Sequence, residues 1–180
     1  TRGLSVITDD GRVELGGARE LVALSLLAVR ETLWVGTPAG LGRLPPGADA
    51  VTEPPELADR PSLRVPILAL TRARDTIVLA TERELAWRST AAGRAAWSLL
   101  PLPPALGLPT VLAPDPDGGV WVGGTQGLAR VDLGRSFIRT LTVPLDLPAA
   151  VRDVLADGDY LWAATDSGLV RFDRRAALNR

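Results

Sequence analysis

Carboxylates and arginines are the side chains of this chain that could do chemistry, and they lie mostly in short polar segments between apolar runs. Two segments cluster carboxylates, Asp115-Pro116-Asp117-Gly118 and Asp157-Gly158-Asp159. Clustered oxygen ligands suit Ca²⁺, but neither segment has the spacing of an EF-hand loop. Asp and Gly together are also typical of tight turns. We interpret both segments as turns and predict no metal site and no cofactor.

The chain contains no cysteine, no histidine and no lysine, three residue types that are common in enzyme active sites. Their absence excludes disulfides, thiolate or imidazole metal ligands, a His general base and a Schiff-base lysine. Two carboxylates could still act as they do in glycoside hydrolases. The acidic residues are dispersed over many turns, and nothing in the sequence selects a pair. We therefore predict a non-catalytic protein and keep a polysaccharide lyase or hydrolase as the alternative.

Arginines recur at one position, near the end of similar apolar segments: Arg43, Arg130 and Arg171. Together they could bind an anion, but an arginine in this position more often pairs with a nearby carboxylate. We predict Asp132 as the partner of Arg130 and Asp173 as the partner of Arg171.

The overall charge balance limits the partners. The chain has 20 basic and 21 acidic residues and a formal net charge of −1. Charges of both signs alternate, so no basic stripe indicates nucleic acid. No apolar run approaches the roughly 20 residues of a membrane-spanning helix, so we predict no membrane insertion.

One sequence motif is repeated four times along the chain. Residues 120–132 hold a short apolar run with Trp121, a turn ending in Gly127 and a second apolar run. Residues 161–173 and 33–43 repeat this pattern, and residues 77–87 are a degraded copy. The period is about 40–45 residues, which is that of a propeller blade. Val, Trp, Thr and Leu dominate the apolar runs, so strands are favoured over helices.

These patterns predict an all-β chain, a β-propeller of about four four-stranded blades that forms part of a larger ring or closes alone. We name the strands of a blade A (innermost), B, C and D (outermost). The whole of 1–180 is predicted to be one domain. The predicted blade units are 21–52, 65–99, 109–141 and 150–173, preceded by a C–D hairpin at 3–15. We expect the rest of a longer chain, or a second copy, to complete the ring.

Two positions of the repeat are predicted to be architectural. The large residue of strand B should fill the space between neighbouring blades. In the four successive repeats this residue is Trp34, Val78, Trp121 and Trp162. The last residue of the B–C turn should need a positive φ, which favours glycine. In the first, third and fourth repeats this residue is Gly40, Gly127 and Gly168. The second copy has Glu84 there, so its turn should differ or be strained. Trp87 and Trp97 lie outside the repeat position and are better candidates for an exposed contact than the other tryptophans, although packing in the core or at a blade edge is the favoured interpretation for both.

The pattern Leu-Trp-Val-Gly-Thr followed by Gly-Leu-x-Arg-x-Asp resembles the two-component regulator propeller repeat of large bacterial sensor proteins. Residues 121–132 and 162–173 match best, residues 34–43 match well, and residues 78–87 lack both the Trp and the turn glycine. The resemblance covers most of the chain. It implies a binding or sensory module outside the cytoplasm, in the periplasm or secreted, for carbohydrates or partner proteins.

We therefore predict a binding module that mediates protein–protein contact or senses a ligand outside the cytoplasm. Its site should lie where the B–C turns and the D–A loops share one end of each blade. The predicted ligand-binding residues are Thr37, Glu82, Gln126 and Asp166. Besides the polysaccharide-acting enzyme, a third possibility is a structural subunit of a larger assembly, which a large exposed apolar patch would favour.

Overall fold

The computed structural model describes residues 5–8, 11–14, 21–57, 60–90, 96–135 and 137–179. The chain forms two compact units, Thr1–Leu70 and Thr71–Arg180. In the described residues, antiparallel sheets account for nearly all of the regular structure. No helix in these ranges is long and apolar enough to cross a bilayer.

The first unit contains a hairpin and a three-stranded sheet. Its strands are β1 (Ser5–Thr8), β2 (Gly11–Glu14), β3 (Ser25–Val29), β4 (Thr32–Thr37) and β5 (Gly40–Leu44). β1 pairs with β2 inside the predicted 3–15 hairpin, whose other residues lie outside the described ranges. Strands β3-β4-β5 form the sheet of blade 1.

Blade 1 has no full strand D, although a four-stranded blade is predicted over residues 21–52. A single antiparallel bridge joins Arg43 and Thr52, with N···O distances of 2.8 and 2.9 Å. Proline lacks the N–H that a ladder needs, and Pro45, Pro46 and Pro54 flank this short segment. The prolines therefore limit the pairing to one residue.

The later sheets begin with blade 2, which has four strands: β6 (Ala69–Ala73), β7 (Thr76–Ala80), β8 (Glu84–Ser89) and β9 (Ser98–Pro101). Blade 3 also has four: β10 (Pro109–Pro114), β11 (Val120–Gly124), β12 (Gly127–Asp132) and β13 (Phe137–Thr142). Blade 4 has three: β14 (Val151–Asp157), β15 (Tyr160–Thr165) and β16 (Gly168–Asp173). In every blade the strands pair in chain order, as hairpin-connected A, B, C and D strands must.

Two boundaries differ from the sequence-based prediction. Strand A of blade 2 begins at Ala69 rather than at 65, because Pro66 cannot donate to a ladder. Strand D of blade 2 runs from Ser98 to Pro101, two residues past the predicted end of that unit at 99. After blade 4 a short helix, α1 (Arg174–Asn179), follows strand C directly. The Asp173 carboxylate accepts hydrogen bonds from the backbone N–H of Arg175 and Ala176, as an N-cap does.

The large residue of strand B lies opposite the recurrent arginine of strand C. The cross-strand pairs are Trp34–Arg43, Trp121–Arg130 and Trp162–Arg171. In blade 2 the corresponding pair is Val78–Trp87. Cross-strand partners share one face of a sheet. Trp87, which is half-buried, therefore supplies an aromatic ring on the face where strand B of this blade has only Val78. Trp97 is 5% exposed, so it is a core residue and not an exposed contact.

The core of the second unit is clearest between blades 3 and 4. Trp121 is 2% exposed and packs in one cluster with Leu128 of its own blade. Val151, Val154 and Leu161 of blade 4 complete that cluster. Trp121 thus fills the space between two blades, as the sequence predicts for this position.

The turn glycines have two different roles. Gly40 and Gly168 adopt φ of +133° and +125°, as predicted. Gly127 does not have a positive φ, and that part of the prediction is wrong. A Cβ on Gly127 would lie 2.6 Å from the carbonyl oxygen of Leu141, so this glycine is needed for close approach of strand D. Glu84 also avoids positive φ, and the backbone N–H of Thr81 donates to its carbonyl at 2.9 Å.

Backbone strain lies instead in the A–B turns. Arg30 and Arg74 adopt φ of 53° and 52°, and Gly158 adopts φ of 55° at the matching position of blade 4. In each of these blades two residues separate strands A and B. A hairpin turn of this length with a positive φ at its first residue favours glycine. The two arginines therefore hold a conformation that costs a side chain roughly 1–2 kcal/mol.

Replacing Arg30 with glycine should stabilise the protein. Relief of the left-handed strain outweighs the extra entropy of the unfolded chain, so Arg30→Gly should raise the free energy of unfolding by about 0.5–1 kcal/mol. Glu31→Gly is the matched control, because Glu31 has no positive φ and should lose stability. Urea unfolding of the three proteins measures both effects. Equal destabilisation by the two substitutions would show that Arg30 is unstrained.

Candidate functional site

Three of the four B–C turns are built on a threonine. The hydroxyls of Thr37, Thr81 and Thr165 each donate to the carbonyl three residues ahead, at 2.8, 3.2 and 2.7 Å. Each hydroxyl also accepts a hydrogen bond from the backbone N–H two residues ahead. Thr37, one of the predicted ligand-binding residues, is only 8% exposed. Its hydroxyl is used inside its own turn.

The B–C turn of blade 3 replaces this threonine with Gly124. A Cβ there would lie 2.3 Å from the carbonyl oxygen of Leu106, at the end of a short 3-10 helix. Glycine therefore lets the preceding D–A loop settle directly onto the turn. The loop is held by Gln126, whose N–H donates to Leu106 at 3.0 Å. The Thr125 hydroxyl accepts from the N–H of Leu108 at 3.0 Å.

In the second unit, each D–A loop joins two consecutive B–C turns. The loop at 101–108 receives the bonds just described from the turn of blade 3, and Leu102 donates to Arg83 in the turn of blade 2 at 2.8 Å. The loop at 143–150 repeats this arrangement. Val143 donates to Gln126 at 2.9 Å, and Asp166 donates to Ala150 at 3.1 Å. Turns and loops thus form one hydrogen-bonded surface, which we call the loop end.

The loop end places three of the predicted site residues on three successive turns. Glu82, Gln126 and Asp166 are all exposed there, whereas Thr37 belongs to the first unit. The Asp166 carboxylate accepts two hydrogen bonds from Arg152, at 2.6 and 2.7 Å. The bond from Arg152 lowers the pKa of Asp166, and the same bond raises the pKa of Arg152. Asp166 is therefore held as an anion with a partner already in place.

The first unit has its own cleft beside the Thr37 turn, with a volume of about 180 Å³. Leu57 and Leu63, both almost fully buried, form part of its lining. Glu53 and Arg64 also line the cleft and form an ion pair at 3.0 Å. Typical small-molecule pockets span about 300–1,000 Å³. This cleft therefore suits one inserted side chain rather than a whole ligand.

Glu53 and Arg64 are not among the residues predicted from the sequence to bind a ligand. Both lie in the proline-rich loop between blades 1 and 2, and five prolines in residues 45–61 mark that loop as ordered. Opposite charges at the two ends of such a loop are a signal that could have identified them.

The opposite end of the second unit, formed by A–B turns, holds a buried ion cluster. Asp115 is 3% exposed and accepts hydrogen bonds from Arg130 of strand C and from Arg174 of helix α1. Arg174 also donates to Asp117 at 3.0 Å. Arg130 thus pairs with Asp115 and not with the predicted Asp132.

The other predicted partner is also wrong. Arg171 lies over the rings of Tyr160 and Trp162, at 4.6 and 5.7 Å from their centroids, while the Asp173 carboxylate binds the backbone of α1. A cation packs favourably over an aromatic face, and each carboxylate is used by local backbone N–H groups. The nearest carboxylate in sequence was therefore not available. Asp132 is similarly engaged by the N–H groups of Gly134 and Arg135.

Burial alone would raise the pKa of Asp115. The hydrogen bonds from Arg130 and the backbone of Asp117, and the charges of Arg130 and Arg174, outweigh that effect and leave the pKa below its usual value. Asp115 therefore stays ionised and joins strand C of blade 3 to the helix after blade 4. Its role is structural, because both of its oxygens are occupied by arginines.

Comparison with solved structures fits this arrangement of blades. The extracellular domain of the hybrid two-component system BT4673 from B. thetaiotaomicron matches 95% of this chain with a TM-score of 0.73 and 16% identity. The corresponding domain of BT3049 matches 96% with a TM-score of 0.64 and 18% identity. A catalytically inactive virginiamycin B lyase from Staphylococcus aureus, with quinupristin, matches 94% with a TM-score of 0.63 and 17% identity.

The fold is a β-propeller. This chain spans 24% and 23% of the two sensor domains and 62% of the lyase. Identities this low establish the fold alone. No protein-family model matches the sequence. No curated protein matches it either.

Removing the charge of Asp115 should destabilise the fold and flatten its acid dependence. Asp115→Asn removes the only carboxylate that the structure shows bonded to Arg130 and leaves Arg174 with the exposed Asp117, so it should cost about 3 kcal/mol. The native pKa is depressed, so this stabilisation is present above the unfolded pKa of about 3.9 and is lost as pH falls through the lower native pKa. Urea unfolding at a series of acidic pH values should show a shallower loss in the variant.

Asp117→Asn is the matched control for that experiment, since Asp117 bonds the same arginine but its side chain is 58% exposed. Its cost should stay below about 1 kcal/mol. Equal costs for the two substitutions would contradict the structural role of Asp115.

Proposed function

We propose that this chain is a non-catalytic binding module that contacts a protein partner or senses a ligand outside the cytoplasm, through its loop end. The hydrogen-bonded union of turns and loops is the observation that carries this proposal. A surface fixed by its own backbone bonds loses little entropy on binding. Glu82 and Gln126 project from that surface, and Asp166 adds an anion beside Arg152.

The similar structures support an extracytoplasmic sensor. Two of them are extracellular domains of hybrid two-component systems. They agree with the resemblance of the repeat to the two-component regulator propeller family. We propose membership of that family and a location in the periplasm or outside the cell on these two grounds together.

The cleft beside Thr37, in the first unit, is a second candidate site and suits a protein or peptide ligand. Its apolar lining, with Leu57 and Leu63, suits an aliphatic side chain. The Glu53–Arg64 pair is about half exposed on both sides, so a ligand carrying one charge of each sign could exchange with it. Exposed pairs of this kind are weak, of order 0–1 kcal/mol, so their opening costs little.

An enzyme is the less favoured function. A general acid needs a raised pKa to carry a proton at neutral pH. Asp115 and Asp166 are instead shifted downward and held ionised. The inactive form of the similar virginiamycin B lyase has a histidine replaced by alanine, and this chain contains no histidine at all. It cannot supply an equivalent of that residue.

A structural role in a larger assembly is favoured by a different observation. Leu155 and Leu169 lie on one face of blade 4 and are 61% and 66% exposed. Large exposed apolar surface often marks a contact with another protein. This role is compatible with ligand binding, because the loop end is a separate surface.

Titration of isotope-labelled protein with three probes should map the site by backbone amide shifts. The probes are cellohexaose, an oligogalacturonate and the capped peptide acetyl-Glu-Leu-Arg-amide, whose leucine matches the cleft and whose charges match its ion pair. We expect the peptide to shift the amides of 37, 39–41, 51–53 and 63–64. We expect bound saccharide to shift those of 82–84, 125–127 and 165–168. No probe should be cleaved.

The variant Glu53→Gln should weaken peptide binding, while Arg175→Ala, in the helix that follows blade 4, should leave all binding unchanged. Shifts confined to the A–B turns at 30–31, 74–75, 117–118 and 158–159 would contradict the proposal. Cleavage of either saccharide, or binding of none of the three probes, would also contradict it.

A further inference from the structure

Blade 4 has one covered face and one uncovered face. Val154, Leu161 and Ala163 point into the core shared with blade 3 and are at most 6% exposed. On the other face Leu155 is 61% exposed, and the half-buried Trp162 lies opposite it in register. This second face forms a shallow groove of about 370 Å³, in which Asp153 is the charged member of the lining.

A single repeat position shows that the uncovered face is unusual. The leucine that follows the B–C turn is Leu41, Leu85, Leu128 or Leu169 in the successive blades, and these residues are 3%, 0%, 0% and 66% exposed. Each lies opposite the residue two places after the large side chain of strand B. The same leucine is thus buried in three blades and open to water in the fourth.

The interface between blades 3 and 4 shows what normally covers this face. Strand β14 packs on β10 and β11 of blade 3. Val154 and Ala156 of β14 reach the cluster around Trp121 and Leu128. The covering element is therefore strand A of the next blade, and its apolar residues alternate along one side.

Blade 1 carries an uncovered stripe of that kind. Val22, Leu24 and Leu26 are 45%, 42% and 52% exposed, and they alternate along the chain into β3. Leu26 precedes the partner of Trp34 by one residue, just as Val154 precedes the partner of Trp162. Leu26 and Ala28 therefore hold the register positions of Val154 and Ala156. Val35, opposite Leu26, is already fully buried, so the open part of this face follows strand A.

We propose that the uncovered face of blade 4 binds the stripe on β3 of a second copy of this chain. Leu26 of one copy would then pack on Leu155 and Trp162 of the other, as Val154 packs on Ala113 and Trp121 within one chain. The contact joins two different faces, so it is heterologous and can extend from copy to copy.

The chemistry of the groove favours another blade over a saccharide. Apart from Asp153, its lining is formed by aliphatic residues and Trp162, so it offers few groups that could bind sugar hydroxyls. Arg171 already lies over the Tyr160 and Trp162 rings, so part of the aromatic surface is occupied. An apolar strand needs no such hydrogen bonds, and its burial is driven by the hydrophobic effect. This proposal rests on blade 4 and blade 1 and not on binding at the loop end.

Sedimentation over a wide concentration range is the first test. The wild-type chain should grow beyond its 19.0 kDa monomer as concentration rises. Leu155→Glu and Leu169→Glu should each weaken this association by about a hundredfold or more, because each would bury an unpaired charge. Both side chains are exposed in the free chain, so the variants should fold. Leu145→Glu is the matched control, because Leu145 is 87% exposed and does not line this groove.

Crosslinking is the second test and identifies the occupant. The chain has no cysteine, so Leu26→Cys and Leu155→Cys can be made separately and mixed under oxidising conditions. Disulfides should form between the two different variants and not within either variant alone. A Leu155→Cys protein that crosslinks to itself would overturn the head-to-tail contact. A chain that stays monomeric at every concentration, or that binds cellohexaose at Trp162 while monomeric, would overturn the proposal as a whole.

Discussion

A sheet that is apolar on both faces needs cover on both faces, and this chain repeats such a sheet from blade to blade. The interface between blades 3 and 4 shows how the requirement is met. Trp121 and Leu128 project from one sheet and are sealed by Val151 and Val154 of the next. Close packing here also requires Gly123, because a Cβ on it would lie 2.7 Å from the Val151 side chain. This contact holds blades 3 and 4 together.

The two ends of the blades depend on that contact in different ways. At the A–B end, a buried carboxylate joins blade 3 to the helix after blade 4, since Asp115 binds both Arg130 and Arg174. At the other end, D–A loops connect neighbouring turns through backbone bonds, to which the Thr125 hydroxyl adds one side-chain bond. Because the blades are rigid, the loops can hold side chains in fixed positions although the loops have no core of their own. Binding residues often lie on loops that a rigid scaffold positions in this way.

The repeat itself could be predicted from the sequence because it is governed by short-range patterns. The alternation of apolar and polar residues, the turn glycines and the period of roughly 40–45 residues are all local or periodic signals. The signals also predicted that Trp121 fills space between blades and that Gly40 and Gly168 need positive φ.

Features that depend on what approaches from outside a repeat could not be predicted in this way. Gly127 looks like the other turn glycines, yet it is required by strand D. Arg130 is followed closely by Asp132, yet its partner is Asp115, fifteen residues earlier on the far side of a hairpin. The cleft beside Thr37 needs Glu53 and Arg64, which a loop brings back to the turn. A single sequence holds no record of such tertiary contacts.

Amide hydrogen exchange, read strand by strand, tests most directly whether cover on both faces governs this fold. Strand β11 of blade 3 has both faces buried, and strand β15 of blade 4 has one. Exchange in dilute solution should be slow in β11 and clearly faster in β15, and protection of β15 should rise toward that of β11 as the protein is concentrated. Equal protection of the two strands in dilute solution would contradict the account. Exchange in β15 that does not depend on protein concentration would contradict it as well.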